Sequence, residues 1–411
     1  MALSTDNITA QIKALKKQLQ IELPDYKEKF EEVADALKSE VARIKDEELN
    51  GHSVPIYQYS DIESGFNEQQ TFKIQRAGCV VIRGVLPGSE VDEHNTALER
   101  YIIENGYYDH TPKVEDNYFS QLKSDKPQIF GIYWSKAQVW ARQHQNMAKL
   151  RSHLNRLWEF EHDGQKEFNP DLEVSYADRV RRRSPGDTSL GLSPHVDSGS
   201  IERWLEPNYR QVYRNVFNGQ WKEYQAFDAR HRIAVEEFNS SAVCSVFRTF
   251  QGWVALTPQG AGDGTLQLIP TTLSMPYMLL RALQDDIEED DLCGAQPGRA
   301  LTVNKKWHDL LLQGLVSIPN MEPGDTVWWH PDTVHAVEDK HSGNGYSNVM
   351  FIGAAPDCEK NRRFQSKQKN AFLAGRSCPD FSPEDHEISY QNRATMNDLT
   401  HLGKRQMGFE K

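Results

Sequence analysis

The chain has 411 residues, with 47 Lys and Arg against 59 Asp and Glu, a formal net charge of −12 and 38% hydrophobic residues. This acidic balance excludes a protein that tracks nucleic-acid phosphates, because such binding needs a cationic face. A mean hydropathy of −0.69, with no uncharged apolar stretch of bilayer length, excludes a membrane span.

In chain order, the first fifty residues carry apolar positions at helical spacing: Ile8, Ile12, Leu15 and Leu19, then Phe30, Val33, Leu37, Val41 and Ile44. They predict two amphipathic helices broken near Pro24. A coiled-coil arm joining two copies is one reading. A helix pair lying on the domain's own core is favoured, because fewer than three heptads are sustained. The run Cys79–Val85 predicts a buried strand, and Val139, Met147, Leu150, Leu154 and Leu157 predict one long helix between Gln138 and Phe160. Further strands are expected at Val174–Arg183, Ala242–Phe250, Gly252–Leu256, Thr265–Ile269, Thr326–His330, Val334–Val337 and Asn348–Gly353. Their Gly, Pro and Asp punctuation fits a mainly β core rather than alternating βαβ units. Residues 198–241, 271–320 and 357–411 read as helical or irregular. The expected division is a helical segment over 1–50, a β domain with insertions near 198–241 and 271–320 over 51–356, and a C-terminal extension over 357–411. Five scattered cysteines without a Cys-x-x-Cys pair, and a start without a basic-then-apolar leader, predict a reducing, cytoplasmic setting.

The most informative stretch is Gly191-Leu-Ser-Pro-His195-Val-Asp197-Ser-Gly199. On an extended strand residues i and i+2 project to one side, so His195 and Asp197 can reach a common point and serve as paired metal ligands. Composition supplies about one such pair by chance, and the sequence holds a second, His330-Pro-Asp332, so the pair alone is weak. Context favours the first pair. A strand and a Pro-Gly turn, Ser184-Pro-Gly-Asp187, come before it. Far downstream, Pro323-Gly-Asp325 feeds a strand, the chain reverses at Pro331-Asp332, and His335 follows between apolar neighbours. A histidine so placed is more often a hydrogen-bonded core residue than a ligand, but as a third ligand it would complete two histidines and a carboxylate.

The order Pro-Gly turn, His-x-Asp, Gly252-Trp-Val-Ala-Leu256, Gly262-Asp-Gly-Thr-Leu-Gln-Leu-Ile-Pro270 and Pro-Gly-Asp with a late His resembles the iron(II)/2-oxoglutarate-dependent oxygenases, which have a double-stranded β-helix, or jelly-roll, core. More closely, the whole chain resembles the YbiU-like family of uncharacterised bacterial and fungal proteins. That likeness lies in Ile132-Tyr-Trp-Ser-Lys-Ala-Gln138, Leu154-Asn-Arg-Leu-Trp158, Cys244-Ser-Val-Phe-Arg-Thr-Phe-Gln-Gly-Trp253 and Ala354-Ala-Pro-Asp-Cys-Glu-Lys360. The resemblance implies His195, Asp197 and His335 as iron ligands and 2-oxoglutarate as cosubstrate. It also implies oxidation, by default hydroxylation, of a small molecule with release of succinate and carbon dioxide, and insertions that form a lid. It names no substrate.

One departure stands out. Such oxygenases commonly hold the cosubstrate's distal carboxylate with a cation about ten to fourteen residues beyond the last histidine, because burying that charge unpaired costs several kcal/mol. Here that window, Gly345-Tyr-Ser-Asn-Val349, has none. If Cys244–Phe250 is a strand, Arg248 shares a face with Cys244, Val246 and Phe250 and is the first candidate anchor, the alternative being an internal salt bridge. Arg183, at the end of Arg179-Val-Arg-Arg-Arg183, is a competitor. Arg181 and Arg183 could instead bind an anionic substrate or form a solvated face, and Ser347 and Asn348 could donate hydrogen bonds where the cation is missing. Trp204, Trp253, Trp328 and Trp329 could wall the pocket or simply be core. Rival readings are a cupin-like metabolite-binding protein without turnover, a metal isomerase or hydrolase built on His330, Asp332 and His335, and a helical scaffold recruited through residues 1–50.

Overall fold

The computed structural model describes residues 7–109, 128–187, 192–238, 240 and 243–410. Helices α1 (Ile8–Glu22) and α2 (Tyr26–Asn50) are separated at Leu23–Asp25, next to Pro24. Their apolar stripe is spent within the chain. Leu19, Val33 and Leu37 are fully buried in a cluster with residues of the helices Ser274–Arg281 and Lys305–Leu312 or of the segments around them, and Ile44 is fully buried as well. Lys16 is buried with them and donates to the carbonyls of Ile287 and Glu288 at 2.9 and 3.0 Å. None of the described helices is long and apolar enough to cross a membrane.

The first strands are β1 (Ile56–Gln58), β2 (Cys79–Arg83), β3 (Ile129–Phe130), β4 (Glu161–His162), β5 (Gln165–Lys166) and β6 (Asn169–Glu173). Then come β7 (Val180–Arg183), β8 (His195–Val196), β9 (Gln251–Ala255), β10 (Leu266–Leu268) and β11 (Leu301–Thr302). The last are β12 (Val316–Ser317), β13 (Thr326–Trp329), β14 (His335–Val337), β15 (Ser347–Phe351) and β16 (Pro356–Asp357). A seven-stranded sheet runs β1-β2-β13-β9-β15-β7-β3 and a five-stranded sheet runs β11-β8-β14-β10-β12. The expected β core is these two sheets, and the helical segments before, between and after their strands hold more residues than the strands do.

Strands buried on both faces explain the near-continuous apolar runs. In the seven-stranded sheet Val80, Ile82, Val254, Trp328 and Met350 face a cluster shared with the helices Gly88–Glu104, Lys136–Gln143 and Gln145–Asn155, while Val81, Trp253, Val327, Trp329 and Val349 face the five-stranded sheet. Gly252 lies opposite Trp328 in register, and a Cβ there would come within 2.7 Å of the indole and of the Val327 carbonyl. This position requires glycine.

Three expected elements are absent or altered. The long helix is two, Lys136–Gln143 and Gln145–Asn155, because His144 is extended and its Nδ1 caps the second through Asn146 N. Within Val174–Arg183 only the last four residues are strand. Upstream, Gln138 and Arg142 side chains take the Asp178 carbonyl and Gln368 takes Ala177 N–H, so side chains satisfy backbone that a ladder would otherwise use. Residues 243–250 form no strand; Ala242 lies outside the described residues. There Ser245 N donates to Asp380, Phe247 N donates to Asn361 Oδ1, and Asn361 Nδ2 donates back to the Phe247 carbonyl.

Candidate metal centre

The five-stranded sheet sets His195 of β8 directly opposite His335 of β14. The chain leaves β8 at Val196, and Asp197 turns back toward both imidazoles. Its Oδ1 is 3.6 Å from His195 Nε2 and its Oδ2 is 3.5 Å from His335 Nε2, with the ring centroids 4.2 Å apart. One donor atom from each residue falls within a set whose members lie within 4.8 Å of one another. His195 Nδ1 faces the Ser193 carbonyl at 2.7 Å and His335 Nδ1 faces the Thr333 carbonyl at 3.2 Å. A carbonyl only accepts, so each Nδ1 carries the proton and each Nε2 presents a lone pair.

Electrostatics agree with a ligand set. Burial, helped by the neighbouring His335, lowers the His195 pKa to about 4, which keeps the ring neutral at neutral pH. Burial opposes ionisation of Asp197, but the neighbouring His335 and His195, with the Arg248 guanidinium behind them, hold its carboxyl well below the usual range. Two imidazoles and one carboxylate converging on one point are a donor set that suits iron(II). The second pair is engaged elsewhere. His330 stacks on Trp158 with centroids 4.7 Å apart, and Asp332 receives Arg203, Arg232, Tyr213 and Tyr224. The metal reading based on His330, Asp332 and His335 is therefore not supported.

The loop that carries Asp197 is held by its carbonyls. Arg203 Nη2 donates to Asp197 O at 2.8 Å and its Nε to Gly199 O at 3.2 Å, while Tyr209 OH donates to Ser198 O. Ser198 adopts a left-handed φ of 66°, a conformation that such pinning can sustain. Arg203 also binds Asp332 at 2.6 Å, so residues 198–241 fasten the metal loop to the strand reversal after β13. Gly191 lies outside the described residues.

A cavity of about 1040 Å³, counting space open to solvent, is lined from both sheets and includes all three candidate ligands. Arg248 lines it too, although the alternating strand that motivated its choice does not form. Among the described residues Arg248 makes no hydrogen bond and no ion pair, its Nε is buried without a partner, and its nearest stacking contact is the Tyr176 ring at 5.3 Å. Two other candidates are corrected. Arg183 is fully buried outside the cavity, its donors spent on the carbonyls of Gly264, Glu338 and Asp339. Asn348 faces the opposite side of the sheet beside Arg182, with Nδ2 3.4 Å from Asn95 Oδ1. Trp253 and Trp329 line the cavity, whereas Trp204 and Trp328 belong to the cores outside it.

Sequence reasoning missed Gln251. It sits opposite Trp329 in register, lines the cavity and leaves both amide atoms buried without partners, as is Trp329 Nε1. An amide flanked by aromatics in a strand was the signal available.

The comparisons agree with one another. The Gig2-like family model matches residues 6–409. The uncharacterised protein YbiU of Escherichia coli K12 is 44% identical over 405 residues, covering 98% of this chain and 96% of the relative. A Salmonella typhimurium LT2 structure, described provisionally as an oxidoreductase, superposes with a TM-score of 0.94 at 42% identity, covering 99% of this chain and 98% of that one. The Candida albicans protein of GlcNAc Inducible Gene 2 superposes with a TM-score of 0.79 at 29% identity, covering 97% of this chain and 89% of that one. A family match across nearly the whole chain and a relative this similar leave one conclusion: the chain belongs to the Gig2-like family.

Proposed function

We propose that the protein is an iron(II)/2-oxoglutarate-dependent oxygenase that oxidises a small molecule in the cytoplasm. The observation that carries this reading is the convergence of His195, Asp197 and His335 on a cavity that also contains Arg248, a buried cation without a protein partner. Asp197 and Asp178 favour the Arg248 charge from a distance, but among the described residues no acceptor touches the guanidinium, and a ligand carboxylate would supply that direct, bidentate partner. Strand order supports a double-stranded β-helix: β7, β15, β9 and β13 are neighbours in one sheet, and β8, β14, β10 and β12 in the other. The segments between β8 and β9 and between β10 and β12 are then insertions in the barrel.

When bound, iron(II) and 2-oxoglutarate supply dioxygen activation coupled to decarboxylation of the keto acid to succinate. His195 and His335 would hold the metal through Nε2 and Asp197 through its carboxylate. Arg248 fixes the distal carboxylate and so sets the orientation of the keto acid. Trp253, Trp329, Val337 and Phe351 line the cavity with apolar surface that keeps bulk water from the reacting atoms. The test is anaerobic titration with iron(II) and 2-oxoglutarate followed by oxygen. Slow uncoupled succinate formation is expected in wild type and not in His335→Ala. Binding of both ligands without succinate would favour the cupin-like binding protein instead.

A further inference from the structure

Among the described residues two guanidiniums in the cavity pair with no carboxylate, and one molecule of 2-oxoglutarate has one distal carboxylate to offer. Besides Arg248 the second is Arg181 of β7, buried on the cavity side of the sheet opposite Val349. Arg181 Nη1 donates to the Gly264 carbonyl at 3.0 Å and Nη2 to Gln128 Oε1 at 3.2 Å, both neutral acceptors. Among the described residues it pairs with no carboxylate. A guanidinium has five N–H donors, so these two bonds leave capacity.

The cavity's own acids are committed elsewhere. Asp178 accepts from Arg179 at 3.3 Å, Asp380 accepts from Ser245 and from Tyr176 OH, and Asp197 faces the two histidines. Burial, with Arg183 nearby, pulls the Arg181 pKa down to about 9, so it stays charged at neutral pH in a site that disfavours the charge. Among the described residues neither Arg181 nor Arg248 therefore has a carboxylate in direct contact, and the cosubstrate's far carboxylate can pair with only one of them.

We propose that Arg181 forms a second anion subsite, which takes a carboxylate or phosphate group of the substrate while Arg248 holds the cosubstrate. The substrate is then a small anionic metabolite. This inference rests on the oxygenase reading above. A planar fork suits either oxyanion, because both offer paired acceptor oxygens.

The test loads the full-length protein anaerobically with Co(II) and 2-oxoglutarate, following cosubstrate binding by the visible spectrum. Inorganic phosphate and trifluoroacetate are then titrated in separate arms, and binding near the paramagnetic ion is read from 31P and 19F relaxation. One anion should bind saturably, identifying phosphate or carboxylate as the preferred group. Arg181→Leu should lose about tenfold or more of that affinity while its 2-oxoglutarate titration stays within about twofold of wild type. Arg181→Lys should recover part of the anion affinity, since it keeps the charge but not the fork. Absence of saturable binding in both arms, binding that survives Arg181→Leu, or loss of 2-oxoglutarate binding in Arg181→Leu would each overturn the proposal. If Arg181→Leu does not fold by circular dichroism, Arg181→Lys carries the comparison, and an anion affinity unchanged from wild type overturns it. Wild-type protein that takes no 2-oxoglutarate would overturn the oxygenase reading alone, because the anion arms on the Co(II) protein still read Arg181.

Discussion

Asp197 lies 3.5 Å from His335 although a third of the chain separates them, and the β8–β14 pairing brings them together. Replacing either by Ala removes one of three donors while leaving both sheets intact. Iron(II) affinity should fall by at least about a hundredfold, measured by equilibrium dialysis, with little change in the melting of the metal-free protein. Retention of tight metal by His335→Ala would end the three-ligand reading.

Asp332 is buried with Arg203 and Arg232, and the first of these also holds the Asp197 carbonyl. Asp332→Ala leaves two guanidiniums without their partner and should cost about 3–5 kcal/mol in urea unfolding. Arg203→Lys keeps a cation but cannot span Asp332, Asp197 and Gly199 together. A metal affinity reduced by about tenfold or more is expected, beyond any loss of stability. Unchanged metal binding would make Arg203 a purely structural residue.

His330 and His308 are buried outside the candidate metal centre. Burial lowers the His330 pKa to about 3 and the His308 pKa to about 4, from an ordinary 6.5. In the unfolded chain both take a proton as pH falls through 6.5, whereas the folded protein resists until far lower pH. Stability is therefore complete above pH 6.5 and falls below it, by up to about 1.4 kcal/mol per pH unit for each residue. Urea midpoints measured from pH 7 to pH 4 should show this decline, and His330→Asn should make it shallower even though it weakens the protein at pH 7. An equally steep decline in the variant would assign the effect to other groups.

Gly252 has no room for a side chain between Trp328 and the Val327 carbonyl. Gly252→Ala should destabilise by about 1–3 kcal/mol through forced separation of β9 and β13, read as a lowered urea midpoint. A neutral effect would mean the two strands separate at no cost.

Leu37 of α2 is fully buried within its own chain. Leu37→Ala should cost about 2–5 kcal/mol at every protein concentration. A midpoint that moves with concentration would show instead that copies share this seam.

The convergence of His195, Asp197 and His335 was legible because the first two are neighbours in sequence and strand punctuation marks the third. The anchor was legible only in part. Arg248 was chosen from an alternation that does not occur, since Asp380 and Asn361 take the backbone of residues 245–247, yet its side chain still lines the cavity. Arg183 and Asn348 were misjudged for a related reason. Arg183 lies beyond the cavity end of β7, where carbonyls saturate it, and Asn348 falls on the face turned to the helix Gly88–Glu104.

By itself the sequence determined the buried strands, the helix pair broken at Pro24, the ligand pair and the family resemblance, because apolar periodicity, turn residues and short motifs act over a few positions. Tertiary structure alone decided which arginines are compensated. Charge balance in a cavity depends on which carboxylates and carbonyls arrive from distant parts of the chain, so three arginines within two segments have three fates: Arg183 bound by three carbonyls, Arg181 by one carbonyl and one amide oxygen, and Arg248 without a hydrogen-bond partner among the described residues.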